Sequence, residues 1–151
     1  VLGGTRPSYD METEIDQTFD LSSITEEKVK AAVQTFMGEI EQVPPLYSAK
    51  KIDGRKAYEF ARKGTEKVLK PNKITIYEYE ITRIELPEID FRVVCSKGTY
   101  IRSLAHDLGK VLDNGGYLKA LRRTAIGDFK VTDAKSVESW VTEIQEAKVV
   151  E

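Results

Sequence analysis

Between Lys73 and Leu112 the chain changes its hydrophobic period, and this constrains the fold more than any other feature of the sequence. From Lys73 to Glu85, Ile74, Ile76, Tyr79 and Ile81 are spaced among polar partners, the pattern of a long half-buried strand. Leu86-Pro87-Glu88 turns the chain, and Ile89–Ser96 returns with Phe91, Val93 and Cys95 alternating. An antiparallel hairpin is therefore predicted. The chain turns again at Lys97-Gly98-Thr99, and a helix opens under Tyr100-Ile101-Arg102, with Leu104, Leu108, Val111 and Leu112 on its apolar face. Tyr100 and Arg102 thus stand where a strand hands over to a helix, a place that presents side chains on rigid supports. A planar ring and a planar cation two residues apart suit a flat, electron-poor substrate or a carboxylate. The same residue types also serve as plain packing and surface groups, so on their own they leave the role open.

The flanking segments supply the scaffold. Val1–Thr5 reads as the end of a strand, Arg6–Asp10 as a loop, and Ile15–Leu21 as a short edge strand. Thr25 is a good N-cap, and Glu26-Glu27 suit the positive end of a helix dipole. Val29, Ala32, Val33, Phe36 and Met37 then recur at helical spacing toward the core, with Gly38 closing the helix. Glu39–Val43 reads as a strand stopped by Pro44-Pro45, and Ala57–Lys63 as a short helix ending at Gly64. Asp113-Asn114-Gly115-Gly116 is a turn, and Tyr117–Phe129 is read as mostly extended. A last helix starts near Ala134–Val137 and is expected to bury Val137, Trp140, Val141 and Ile144.

Composition excludes several kinds of chemistry. A single cysteine rules out an internal disulfide and any Cys-based zinc site, and a single histidine rules out His-rich metal motifs. Asp10, Glu12, Glu14 and Asp16 alternate, but lack the glycine turn and bidentate glutamate of a calcium loop. Cys95 is expected to pack on the inner face of its strand. With no apolar run of membrane-spanning length and no signal peptide, a soluble cytoplasmic protein is expected. The opening at Val1, without an initiator Met or a leader, is what a piece of a longer protein would show.

The net charge is −2, yet it is distributed unevenly. Residues 1–46 carry 3 Lys+Arg against 9 Asp+Glu, residues 50–73 carry 9 against 3, and residues 92–135 carry 9 against 4. Basic segments inside an acidic chain fit a protein that meets a polyanion on one face. Residues 44–73 form a long basic excursion, too poor in aliphatic residues for a core and expected to be mobile without a ligand. Its aromatics interleaved with Lys and Arg suit nucleic acid, where bases stack and phosphates pair.

Taken together, three segments resemble a known family. Pro44-Pro45-Leu46-Tyr47-Ser48-Ala49-Lys50, followed by Gly54 and by Ala57-Tyr58-Glu59 to Ala61-Arg62, resembles one signature of the TruB-type tRNA pseudouridine synthases. Cys95-Ser96-Lys97-Gly98-Thr99-Tyr100-Ile101-Arg102 resembles a second, and Leu121-Arg122-Arg123 with Gly127-Asp128-Phe129 a third. The resemblance implies an α+β fold: a mixed, largely antiparallel sheet with flanking helices, pseudouridine synthase-like and incomplete at the N-terminus. The strands and helices read above agree with it.

The resemblance also implies an activity. That family isomerises the uridine at the start of the tRNA T-loop consensus to pseudouridine, flipping the base into a pocket, without cofactor or metal. Tyr100 would lie against the flipped uracil and assist proton removal. Arg102 would pair with the catalytic aspartate, and Leu121 would pack beside the same pocket. Residues 44–73 would be the thumb loop that closes on the T-arm. Tyr47, Lys50, Lys51, Arg55, Lys56, Lys97, Arg122 and Arg123 are the expected RNA-binding residues. The family's nucleophile lies in a Gly-Thr-Leu-Asp-Pro-type motif that does not occur here, and none of Asp10, Asp53, Asp107 or Asp113 has that context. Residues 1–151 are therefore expected to be the C-terminal portion of one catalytic domain, without an appended PUA-type domain. That portion would be inactive alone and prone to self-association through the surface the rest would cover. A non-catalytic module that recognises the tRNA T-arm is the alternative reading.

Overall fold

The computed structural model describes residues 1–48, 51–52, 55–62 and 69–148. They form two compact units, Val1–Lys119 and Ala120–Glu151. The centre of the first is the predicted hairpin. Strands β6 (Asn72–Glu85) and β7 (Glu88–Cys95) pair antiparallel, with Tyr79 opposite Val93 and Ile76 opposite Cys95. Strand β3 (Gly38–Gln42) adds to the other edge of β6, Gly38 opposite Ile76 and Gln42 opposite Asn72. The sheet order is thus β3-β6-β7. Two short pairs lie outside it: β1 (Gly4–Thr5) with β2 (Gln17–Thr18), and β4 (Lys51–Ile52) with β5 (Arg55–Lys56). Among the described residues every strand pair is antiparallel, and one isolated bridge, Asp10 with Leu118, is parallel. A mixed, largely antiparallel α+β fold is what the sequence led one to expect.

Two helices cover one face of the sheet. Helix α1 (Glu26–Gln34) starts at Thr25, whose hydroxyl accepts the Lys28 N–H, and turns Val29, Ala32 and Val33 inward. Helix α3 (Ile101–Val111) contributes Leu104 and Leu108. Ala32, Val33, Leu104 and Leu108 meet Phe36, Ile74, Ile76 and Tyr79, with Phe91, Val93 and Cys95 packed against the cluster, while Val29 packs with Leu2 and Ile24. Each fully buried aliphatic is worth roughly 1.5–3 kcal/mol of burial. Helix α1 ends earlier than its apolar spacing predicted. Its cap is Thr35, Phe36 and Met37 follow in tightened turns, and Met37 leaves the core. Gly38, at φ +86°, starts β3 instead of closing the helix.

The basic excursion is tied down at the ends that are described. Pro44, Pro45 and Ser48 are buried at its start, Ala57 in helix α2 (Ala57–Arg62), and Leu69 near its end. The middle of the excursion, on which its expected mobility bears, lies largely outside the described residues.

The second unit corrects one expectation. It holds a hairpin, β8 (Ala125–Ile126) with β9 (Phe129–Lys130), a 3-10 turn at Val131–Asp133 and helix α4 (Val137–Lys148). The helix forms where predicted, but Val137, Trp140, Val141 and Ile144 are exposed, not buried. One short hairpin and one turn offer too little surface to cover an apolar helix face, and the Lys135 ammonium lies over the Trp140 ring, 5.1 Å from its centroid.

A close backbone approach locks α3 against the turn that follows it. Gly109 faces Gly115 and Gly116, and a Cβ at 109 would stand 2.6 Å from the Gly115 carbonyl carbon. Gly109→Ala should therefore destabilise the fold by about 1–3 kcal/mol, seen as a lower urea midpoint at unchanged slope. An unchanged midpoint would mean that this approach is not tight.

Candidate active site at the start of helix α3

Four segments meet at the first turn of α3. Tyr100 caps the helix in extended conformation, φ −92° and ψ 106°, with no side-chain cap of its own. Gln42 takes over instead. Its side-chain Oε1 accepts the Tyr100 N–H at 2.8 Å, and its Nε2 donates to the Tyr100 carbonyl at 3.1 Å. Ser103, fully buried, donates its hydroxyl to the Val43 carbonyl at 2.8 Å. Arg102 reaches out of the same turn, its Nη2 donating to the Tyr47 carbonyl at 2.8 Å. The segment before and after Pro44-Pro45 therefore grips residues 100, 102 and 103 together.

The other side of Arg102 is held by the loop after β1. Its Nη1 donates to the Ser8 carbonyl at 3.2 Å and to the Asp10 carboxylate at 3.0 Å. Both side chains of this ion pair are about a quarter exposed, 23% for Arg102 and 26% for Asp10. Burial by itself would raise the Asp10 carboxyl. The Ser8 hydroxyl, the Glu12 N–H and the Arg102 charge outweigh it and hold the pKa below the usual aspartate range. Of the five guanidinium N–H groups, Nε–H and one on Nη2 make no hydrogen bond to a described residue. Such spare donors can receive a second carboxylate.

Tyr9 sets the course of that loop. It is a non-glycine residue at φ +63°, a strained backbone state. Its ring stacks on His106 of α3 with centroids 3.8 Å apart, and its carbonyl accepts the Leu118 N–H. Burial first, then the Lys110 charge, pushes His106 down to about 4, so it is neutral at neutral pH. An open cleft lies beside this stack, lined by Arg6, Asp16, Lys110 and Asn114 among others.

The remaining expected site residues fall into three groups. Lys97 is exposed in the turn that enters α3. Lys51 lies on β4, Arg55 and Lys56 on β5, while Lys50 lies outside the described residues. Leu121, Arg122 and Arg123 belong to the second unit and are exposed there. Gln42 and Ser8 were not singled out from sequence, and Asp10 was weighed there only as a metal ligand or nucleophile and set aside. A signal existed for Gln42: it shares the inward face of β3 with Ile40, and a glutamine at a core-facing position requires hydrogen-bond partners. Among the described residues no group of His, Cys, Asp or Glu could hold a metal ion, and no helix is long and apolar enough to cross a membrane.

Comparison with known proteins follows the same segments. Residues 1–101 match the model of the TruB family pseudouridylate synthase N-terminal domain, and residues 102–149 that of the tRNA pseudouridylate synthase B C-terminal domain. The chain is 54% identical over 144 residues to a tRNA pseudouridine synthase B of Flavobacterium johnsoniae, covering 95% of this chain and 63% of the relative. It is 49% identical over 150 residues to the protein of that name in Phocaeicola vulgatus, covering 99% and 64%. Among solved structures, a chain in the crystal structure of a Cbf5-Nop10-Gar1 complex superposes with a TM-score of 0.55 at 35% identity, over 72% of this chain and 28% of that one. This chain thus spans less than two thirds of the length of these curated relatives.

Two expected outcomes test the electrostatics. The folded state takes up the His106 proton only near pH 4, whereas an unfolded histidine takes it up near 6.5. Stability should therefore fall as pH drops from about 6.5 to about 4, and His106→Phe, which keeps the stack, should flatten that part of the melting curve against pH. An imidazole that titrates near 6.5 by NMR would refute this. Asp10→Asn should lower the melting temperature at pH 7. The deficit should shrink as pH falls through the depressed Asp10 value, because the wild-type carboxylate is then protonated too. A deficit independent of pH would show that the ion pair is not its source.

Proposed function

The chain belongs to the TruB family of pseudouridylate synthases, and from that premise we propose that the whole protein isomerises the uridine of the tRNA T-loop to pseudouridine. In that reaction the C1′–N1 glycosidic bond breaks, the base turns, and a C1′–C5 bond forms. The C5 proton leaves and N1 takes one up, so the change needs neither redox chemistry nor a cofactor. What it needs is an ionised carboxylate to engage the flipped nucleotide, a surface for the uracil ring, and a group to help move the C5 proton.

The observation that carries this reading is the divided guanidinium of Arg102. Its Nη1 and Nη2 hold it to Ser8, Asp10 and Tyr47, and among the described residues Nε–H and one Nη2–H have no acceptor. A second carboxylate seated on those donors would be kept ionised and aimed. The Gly-Thr-Leu-Asp-Pro-type motif is absent, so on this reading the attacking carboxylate is not one of these 151 residues. Asp10 serves as the counter-ion behind the arginine. Tyr100, two residues earlier on the same rigid turn, supplies the ring against the base, and its hydroxyl assists transfer of the C5 proton. The basic residues Lys50, Lys51, Arg55, Lys56, Lys97, Arg122 and Arg123, with Tyr47, take the phosphates and bases of the T-arm.

One observation favours the other reading, a T-arm-binding module without catalysis: the basic run at 50–73 is present while the nucleophile's motif is not. The experiment separates them. Whole protein carrying the relatives' remaining segment is incubated with T-arm RNA and assayed for pseudouridine. Turnover is expected, with Arg102→Ala lowering kcat by roughly 10²–10³-fold and Tyr100→Phe by roughly 10²-fold, both with RNA affinity near wild type. RNA that binds in a salt-dependent way but keeps its uridine would establish the binding module instead.

A further inference from the structure

We infer that Gln42 is a positioning residue for Tyr100, an inference that rests on the function proposed above. Gln42 is among the largest fully buried side chains of the protein, 2% exposed, at the last position of β3. Only one edge of β3 is paired with another strand of its sheet, since the order is β3-β6-β7. On α3's side the Gln42 primary amide does the work of a neighbouring strand. It accepts from the Tyr100 N–H at 2.8 Å and donates to the Tyr100 carbonyl at 3.1 Å.

That carbonyl also accepts the Leu104 N–H at 3.1 Å, the first bond of the helix. The backbone of Tyr100 is therefore satisfied in full, by the helix on one side and by one side chain on the other. Its φ and ψ are fixed, and with them the direction of its Cα–Cβ bond. The phenol takes no part in this and stays available for substrate. The Tyr100 side chain makes no cap bond of its own, and among the described residues Gln42 is the side chain that bonds to its backbone.

The neighbouring bonds make the effect separable. Arg102 is anchored through the Tyr47 and Ser8 carbonyls and Asp10, and Ser103 through the Val43 carbonyl. None of these uses the Gln42 side chain. Removing its amide should loosen the aromatic ring and leave the arginine in place. For a hydroxyl that must reach the C5 proton, a displacement of about 1 Å costs on the order of 10²-fold in rate.

The test is Gln42→Met, which keeps the length of the side chain and removes both bonds, in the whole protein and in the Tyr100→Phe background. Expected are a kcat lower by roughly 10- to 100-fold, an unchanged affinity for T-arm RNA, and a much smaller loss of kcat when Tyr100 is already Phe. A role in folding alone would give the same fold-loss in both backgrounds, and that result overturns the proposal. So does a folded Gln42→Met protein with wild-type kcat. If the Met variant does not fold, Gln42→Asn decides, because it keeps a primary amide but is one methylene too short to reach both backbone groups of Tyr100. Its kcat should again fall less in the Tyr100→Phe background. Equal losses, wild-type turnover, or failure of this variant to fold as well would reject positioning. The function reading is judged separately, by turnover of the wild type against Arg102→Ala; a wild type without turnover removes both.

Discussion

The structure turns on how the first turn of α3 is held. A helix that follows directly from a strand has free N–H groups at its start and a backbone whose direction is open. Here Gln42 closes the backbone of Tyr100, Ser103 bonds to Val43, and Arg102 spans from Tyr47 to Ser8 and Asp10. All of these partners are far away in sequence. The turn is therefore only as well placed as the packing of β3, the Pro44-Pro45 segment and the loop after β1. Burial of Pro44 and Pro45, which have no N–H to satisfy, lets the gripping segment run through the interior at little polar cost.

The same arrangement explains the electrostatics. A guanidinium held by two carbonyls and one carboxylate has its charge balanced by that carboxylate and its orientation fixed by all three. Asp10 stays ionised because hydrogen bonds and the arginine outweigh its burial, whereas burial dominates at His106 and keeps it neutral. The stack of Tyr9 on His106 and the strained backbone at Tyr9 belong to the same device, since they turn the chain so that Asp10 faces Arg102.

Much of the fold was legible because local rules and burial agreed. The hairpin of β6 and β7, the Thr25 cap and the helix after Tyr100 each follow from patterns within about a dozen residues. The misreadings have a physical cause too. Met37 continued a helical spacing, but the helix had ended at Gln34. Trp140, Val141 and Ile144 form an apolar face, yet spacing says only that such a face exists, not that a surface is available to cover it. Tyr100 and Arg102 drew notice as a ring and a cation at a strand–helix junction, but their expected roles came from the family resemblance. Asp10 looked like one carboxylate in an acidic run, and nothing local marked it as the partner of a residue 92 positions away.

The sequence by itself determined the element types, the antiparallel hairpin, the exclusion of disulfide and cysteine–zinc chemistry, and the family, because these depend on residue identity and short-range spacing. Only the tertiary structure decided which groups hold the arginine and that a buried glutamine carries the backbone of the tyrosine. Those are pairings between segments remote along the chain, and a hydrogen bond depends on distance and direction, which no local pattern specifies.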